Sequence, residues 1–427
     1  MGRIEIGTAR DRSPSTRPLM SDHNLSARVW ATAALLAVPV ASRSGLGWWL
    51  PVHLVLLGAV SQAIAGGQLM FSATLGLARG PDRRGALVQL GVLNAAALAV
   101  VGGRLAGSDA LFAAGAGAFV CVIAWVAWHV HAMWRTSVNR RFAITGTFYR
   151  LAAASVLLGA SIGGAMGIGA FDDAASYAAH RGVHMTLNVF GWAGMTIVGT
   201  AITLLPTILH VRSPDLRVMR RAPWAMFGGL IVMSAGATTG LEWLAAAGVA
   251  CYAGGFGAFV VYVRAVLATE RRRKVPTAAF HLVAALAWAL VTVSALVVVT
   301  ARGDYAAARD LVVVGGAGGF AFQALLGAWS FLLPSSRPPV PARRRVELTA
   351  MELGGRAQVA AYNAGLVAIA VGLRTGLDTA LAGIVCVWLA AAWALTKSWT
   401  FPALSRLAVV ERRSAEWWAE PGQGAAR

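Results

Sequence analysis

Twelve long apolar runs, each closed by charges, glycine or proline, decide what this chain can fold into. They lie at about 27–43, 48–78, 85–103, 107–134, 144–170 and 183–209, then at about 223–238, 243–267, 277–300, 310–334, 357–373 and 377–396. Roughly 20 apolar residues make one membrane-crossing helix. In a bilayer every backbone N–H and C=O must be paired within the protein, so uninterrupted apolar runs of this length are helices. Of the 427 residues, 57% are hydrophobic and 13% charged, which leaves almost nothing for a water-soluble domain. The 48 glycines and 16 tryptophans fit the same class, since Gly and interfacial Trp are both raised in helical membrane proteins. A soluble enzyme, a fibrous protein and a disordered chain are excluded. The sequence predicts an all-α integral membrane protein.

The charge supplies the topology. Lys and Arg total 37, of which 35 are Arg, and the formal net charge is +19. Cytoplasmic loops collect such residues. With twelve spans and both termini in the cytoplasm, 31 of the 37 fall on inner segments and six on outer ones: Arg43, Arg104, Arg181, Arg302, Arg309 and Arg374. The alternation runs unbroken along the chain. It gives a basic cytoplasmic tail over 1–26, a twelve-helix domain over 27–396 and a second cytoplasmic tail over 397–427. The basic character is therefore a topology signal and not a nucleic-acid site. Runs such as Arg271–Lys274 and Arg343–Arg345 are expected in solvated loops beside anionic lipid. Residues 1–26 have no apolar core, so no cleavable signal is expected, and the chain reaches the inner (plasma) membrane through its own helices. Asp172-Asp173 is expected in a solvated outer loop. Cys121, Cys251 and Cys386 lie in apolar runs without CxxC pairing and form no disulfide framework.

An internal repeat is written into the second, sixth and tenth helices. They carry Gly58-x7-Gly66, Gly191-x7-Gly199 and Gly319-x7-Gly327, spaced by 133 and 128 residues. The position four after the first Gly is Gln62, Met195 and Gln323. The later two motifs continue in register to Leu204-Leu205-Pro206 and Leu332-Leu333-Pro334. Phe148-x2-Leu151-Ala152-Ala153 echoes Phe280-x2-Val283-Ala284-Ala285, and each cysteine falls on the fourth helix of its unit. The reading is three parallel four-helix units at about 27–143, 144–275 and 276–396. Residues i, i+4 and i+8 share one helix face. The stripes Gly58–Gln62–Gly66, Gly191–Met195–Gly199 and Gly319–Gln323–Gly327 thus either let a neighbouring helix approach closely or line a central site.

Ionisable groups inside a membrane are functional suspects. His129 and His131 sit among Trp125, Trp128 and Trp134, which suggests interfacial anchoring, while His210 ends a helix and His23 is placed in the N-terminal tail. His53 and His184 differ, because each opens a Gly-x7-Gly helix in its outer third. His180 and His184, four apart, are a candidate metal pair, with Asn188 one turn further in as a supporting group. Neutral imidazole binds copper and haem iron, so His53 and His184 are the candidate cofactor ligands.

The stretches Trp49-Leu50-Pro51-Val52-His53-Leu54-Val55-Leu56-Leu57-Gly58, His184-Met185-Thr186-Leu187-Asn188-Val189-Phe190-Gly191-Trp192 running to Gly199 and Pro206, and Gly319 to Pro334 resemble the haem-copper oxidase subunit I superfamily. The likeness is to a divergent bacterial branch that occurs alone or ahead of copper nitrite-reductase or multicopper-oxidase domains. It implies the twelve-helix pseudo-threefold fold, haem or copper as cofactor, and a copper or haem redox protein as partner on the outer side. His53 matches the superfamily's second-helix haem ligand, and His184 is the nearest match to the sixth-helix copper ligand. Two departures stand out: the seventh and tenth helices hold no histidine, so a complete oxygen-reducing centre cannot be assembled. Electron transfer, or a role in copper or nitrogen-oxide metabolism, is the expectation. A transporter or channel, and a cofactor-free scaffold for a redox partner, are the rival classes.

Overall fold

The computed structural model describes residues 17–43, 45–171, 173–269, 275–337, 340–376 and 378–418. The basic run Arg271–Lys274, Asp172, and the tail stretches 1–16 and 419–427 lie outside the described residues.

The framework is α1 (Arg17–Ala37), α2 (Trp49–Gly76), α3 (Arg83–Ala106), α4 (Asp109–Arg135), α5 (Ala143–Gly167), α6 (Ala174–Leu209) and α7 (Ala222–Thr239), then α8 (Glu242–Ala268), α9 (Thr277–Ala301), α10 (Tyr305–Ser336), α11 (Pro341–Met351), α12 (Gly355–Thr375), α13 (Thr379–Leu404) and α14 (Ala408–Trp418). No strand occurs among the described residues. Among them, eleven helices are long and apolar enough to cross a membrane, α12 being counted together with the short α11 that leads into it. The exception among the twelve sequence runs is α7, of 18 residues. Gly228, Gly229, Ser234, Gly236, Thr238 and Thr239 thin its apolar character.

Two boundaries move outward from the sequence reading. The first helix begins at Arg17, ten residues before the expected start, and takes His23 out of the tail into a buried position against Gln62. The last long helix runs on to Leu404. Lys397, placed in the cytoplasmic tail from its charge, is 1% exposed. Its ammonium donates to the Met351 and Leu353 carbonyls at 2.8 and 3.2 Å, satisfying backbone groups where α11 ends.

Three helices form the centre. In α2, α6 and α10 the most apolar stretch is 61, 78 and 67% buried, against 28–44% in the other spans. Each also widens into a π-helical segment in its N-terminal half, at Leu54–Val60, Leu187–Gly194 and Val312–Phe322. Such segments mark distortions that are frequent at functional sites. The central helices meet one another: Gln68 Nε2 donates to Thr196 Oγ1 at 2.9 Å, and Phe190 stacks with Phe320 at 6.3 Å. Between them lies a cavity of about 90 Å³ whose lining includes Asn24, Ile64, Gln68, Thr196 and Ala324.

The glycine stripes face the other way. A β-carbon built on Gly58 lies 2.5 Å from the Trp30 ring, and one on Gly66 lies 2.5 Å from His23 Cβ, both on α1. Gly191 and Gly199 meet Ser155 and Phe148 of α5 in the same manner, and Gly319 and Gly327 meet Trp288 and His281 of α9. Each stripe is thus a seat for the helix that precedes it. None of the nine residues Gly58, Gln62, Gly66, Gly191, Met195, Gly199, Gly319, Gln323 and Gly327 is in the lining of the central cavity. The stripes pack closely on those helices, the missing side chains being replaced by large ones from α1, α5 and α9. The partners also correct the echo read from sequence by one residue. Phe148 corresponds in space to His281 and not to Phe280.

Hairpins recur too. Gly107, Gly240 and Gly376 end α3, α7 and α12 in the left-handed region, at φ +63°, +70° and +65°, where only glycine sits without strain. Four residues before each stands a second glycine, Gly103, Gly236 or Gly372, pressed on the backbone of the following helix at Phe112, Ala245 or Ala380. The hairpin α7–α8 therefore has the same construction as α3–α4 and α12–α13. The assembly closes on itself where α13 meets α1. There Arg28 Nη1 donates to the Ser398 carbonyl at 2.7 Å and Trp388 Nε1 to the Leu35 carbonyl at 2.9 Å.

Candidate functional site

His53 stands at the last turn before the π-helical segment of α2, and His184 lies one turn before that of α6. Separated by 131 residues in the chain, their imidazoles come together with ring centroids 6.3 Å apart and planes 11° from parallel.

Each ring is held by a carbonyl oxygen at Nδ1. His53 Nδ1 donates to the Trp49 carbonyl at 2.8 Å, and its ring stacks on the Trp49 indole at 4.0 Å. His184 Nδ1 donates to the Gly159 carbonyl of α5 at 2.7 Å. A carbonyl only accepts, so both Nδ1 atoms carry the proton. In the neutral rings the lone pair then sits on Nε2. Two imidazoles oriented through Nδ1 with Nε2 left to coordinate are the usual arrangement behind a metal-bound histidine.

Glycine makes the room. A β-carbon on Gly163 falls within the His184 ring, 2.5 Å from Nδ1, and one on Gly159 falls 2.6 Å from Asn188 Nδ2. The pair Gly159-x3-Gly163 is thus a groove on α5 that receives the two polar side chains of α6. Asn188, expected as a supporting group, donates to the His184 carbonyl at 2.6 Å, and its amide nitrogen lies 3.3 Å from His184 Nδ1.

The other expected partner is engaged elsewhere. His180 stacks on Phe171 at 3.8 Å and turns its Nδ1 to the Ser176 carbonyl at 2.8 Å. Four-residue spacing puts His180 and His184 on one face, but His180 packs on Phe171 of the loop before α6, while α5 and α2 supply the partners of His184. The imidazoles that the fold brings together are those of His53 and His184, while His180 turns to Phe171. Among the described residues no three His, Cys, Asp or Glu side chains gather at one point. The remaining histidines are structural. His129 accepts from Gln89 Nε2 at 3.0 Å, His131 lies beside Trp128, and His210 closes α6 in the left-handed region with Nδ1 on the Ile208 carbonyl. The cysteines are all exposed on helix surfaces.

The donor set tests the implied cofactors. Two neutral imidazoles that carry their proton on Nδ1 are donors of the kind that would suit copper(I) or haem iron, and His53 and His184 are the residues that would hold it.

Sequence reasoning missed Trp49, Gly159 and Gly163. It also missed a clamp found twice. Trp30 Nε1 donates to Asn94 Oδ1 at 2.8 Å and Trp288 Nε1 to Asn363 Oδ1 at 2.7 Å, each indole lying on the first stripe glycine. The signal was available: His23-x6-Trp30 returns as His281-x6-Trp288, and Gln89-x4-Asn94 as Gln358-x4-Asn363. No protein-family model matches the chain, and no curated protein is significantly similar to it.

Proposed function

We propose that this chain is an inner-membrane protein of twelve crossings with both termini in the cytoplasm. It is built as three four-helix units in the haem-copper oxidase subunit I-like arrangement, and it holds one copper or haem group between His53 and His184 near the outer face. The observation that carries the reading is the pair of facing imidazoles, each pinned through Nδ1 by a backbone carbonyl. Three glycine-striped central helices, three π-helical segments and three hairpins of one construction support the repeat.

The chemistry rests on what the residues can do. His53 and His184 present two neutral donors, Trp49 and Asn188 restrict ring rotation, and Gly159 fixes the tautomer. A copper or haem group bound there supplies one-electron chemistry, the helices contributing position and electrostatics. With two protein donors and no histidine on α7 or α10, the role is electron transfer, or copper or nitrogen-oxide handling, and not oxygen reduction. A copper or haem redox protein on the outer side is the partner this implies.

The deciding experiment is a reduced-minus-oxidised visible spectrum with metal analysis on the detergent-solubilised protein, prepared with haem and copper supplied. Haem bands or stoichiometric copper are expected, lost in both His53→Ala and His184→Ala. A colourless, metal-free protein overturns the redox reading and leaves a transporter or a scaffold for a redox partner.

A further inference from the structure

Eleven buried side-chain nitrogens and oxygens among the described residues have no hydrogen-bond partner, and six of them fall in two clusters. The first is on α1 and α2. His23 Nδ1 donates to Gln62 Oε1 at 2.8 Å, which leaves His23 Nε2 and Gln62 Nε2 free. The second cluster is on α9, α10 and α12. Gln358 Nε2 donates to His281 Nε2 at 3.2 Å, which leaves His281 Nδ1, Gln358 Oε1 and both amide atoms of Gln323 free. All five side chains are at most 5% exposed.

The clusters occupy matching places. His23 and His281 each sit on the second glycine of the stripe, Gly66 and Gly327, and Gln62 and Gln323 are the middle members of those stripes. The central unit fills the same two places with Phe148, against Gly199, and Met195, both fully buried. The fold therefore accepts an apolar pair at these positions. Nothing about helix packing requires the polar ones, and a buried polar atom left without a partner is strongly unfavourable.

We propose that the first and third units each hold ordered water, bound at His23–Gln62 and at His281–Gln323–Gln358, while the middle unit is dry. The chemistry of the free atoms selects the ligand. Each cluster offers donors and acceptors together: the Gln62 amide and the His281 N–H donate, while His23 Nε2 and the Gln358 carbonyl accept. A cation is repelled by the amide N–H groups and an anion by the carbonyls, whereas water satisfies both. Gln323 has both amide atoms free, so interchanging its nitrogen and oxygen leaves the same donors and acceptors. Water at these places does not depend on a metal at His53 and His184.

Brief X-ray radiolysis of the full chain in lipid nanodiscs makes hydroxyl radicals from any water held at these places, and mass spectrometry reads oxygen added to nearby side chains. Oxidation is expected at His23 and His281 and not at Phe148, an equally buried and oxidisable side chain at the matching place. Unlabelled histidines, or Phe148 labelled to the same extent, overturn the proposal. The double variant His281→Phe with Gln323→Met installs the middle unit's pair. Labelling at position 281 then disappears and that at His23 persists; labelling that survives at 281 shows the water is not held by these groups and overturns the assignment. If the variant does not fold, the comparison within the unaltered chain still decides.

Discussion

Gly163→Ala tests the assembly of the histidine pair with one methyl group. The added carbon falls 2.5 Å from His184 Nδ1, about 1 Å inside ordinary contact. A ring moved by that distance loses its 2.7 Å bond to the Gly159 carbonyl and its alignment with His53. Crowding of this kind costs about 1–3 kcal/mol, and an orphaned buried carbonyl about 1–3 kcal/mol more. The gain in helix propensity returns only about 1 kcal/mol. The net loss is therefore about 1–5 kcal/mol. A metal site whose oriented ligand is released loses roughly 10–100-fold in affinity. Gly182→Ala is the control, since a β-carbon there meets nothing within 4 Å; it is expected to be neutral or stabilising by up to about 1 kcal/mol. The assay is the unfolding midpoint in detergent, paired with copper(I) affinity by competition against a chromogenic chelator. A Gly163→Ala protein that matches the unaltered chain in both measurements refutes the geometry.

Three further outcomes are expected. Trp30→Phe and Trp288→Phe each remove one indole bond to Asn94 or Asn363, costing about 1 kcal/mol apiece, and the double variant should show their sum because the two clamps share no residue; strong coupling between them in the unfolding midpoint contradicts this. Lys397→Met strands the Met351 carbonyl and leaves that of Leu353 to Trp393 Nε1 alone, so tryptic cleavage at Arg343–Arg345 on α11 should quicken, and an unchanged rate means the ammonium is not what holds that helix. Fluorescent-protein fusions at either terminus should both light up in the cytoplasm, whereas a dark fusion at one end requires an odd number of crossings.

The helices were legible because apolar runs bounded by charge have one physical solution in a bilayer. Their ends were not. His23 and Lys397 read as tail residues, and only a partner distant in sequence, Gln62 or the end of α11, explains why each is buried. His53 and His184 stood out as candidate ligands because each opens a Gly-x7-Gly helix. Their convergence was hidden by the π-helical segment that comes after each of them. In an ideal helix His53 points about half a turn from the Gly58–Gln62–Gly66 stripe, but the extra residue per turn rotates the N-terminal end of the helix relative to the C-terminal end. Spacing also favoured His180 as the partner of His184, and the stack on Phe171 that removes it from the site has no signature in the spacing. The role of the stripes turned on which neighbour was large, and Trp30, Phe148 and Trp288 became visible as those neighbours only in three dimensions.

The contact between α13 and α1 sets a clock on biogenesis. Arg28 and Ser398 are separated by 370 residues, so at ordinary elongation rates the first helix waits roughly 20–70 s for the last to leave the ribosome. Through that interval the Arg28 guanidinium, which later also covers the Trp399 ring at 4.2 Å, sits at the edge of a half-built barrel with lipid or insertion machinery beside it. A nascent chain arrested before its final hairpin is thus an open ring with a charged seam, a form that membrane quality control can distinguish from the closed one.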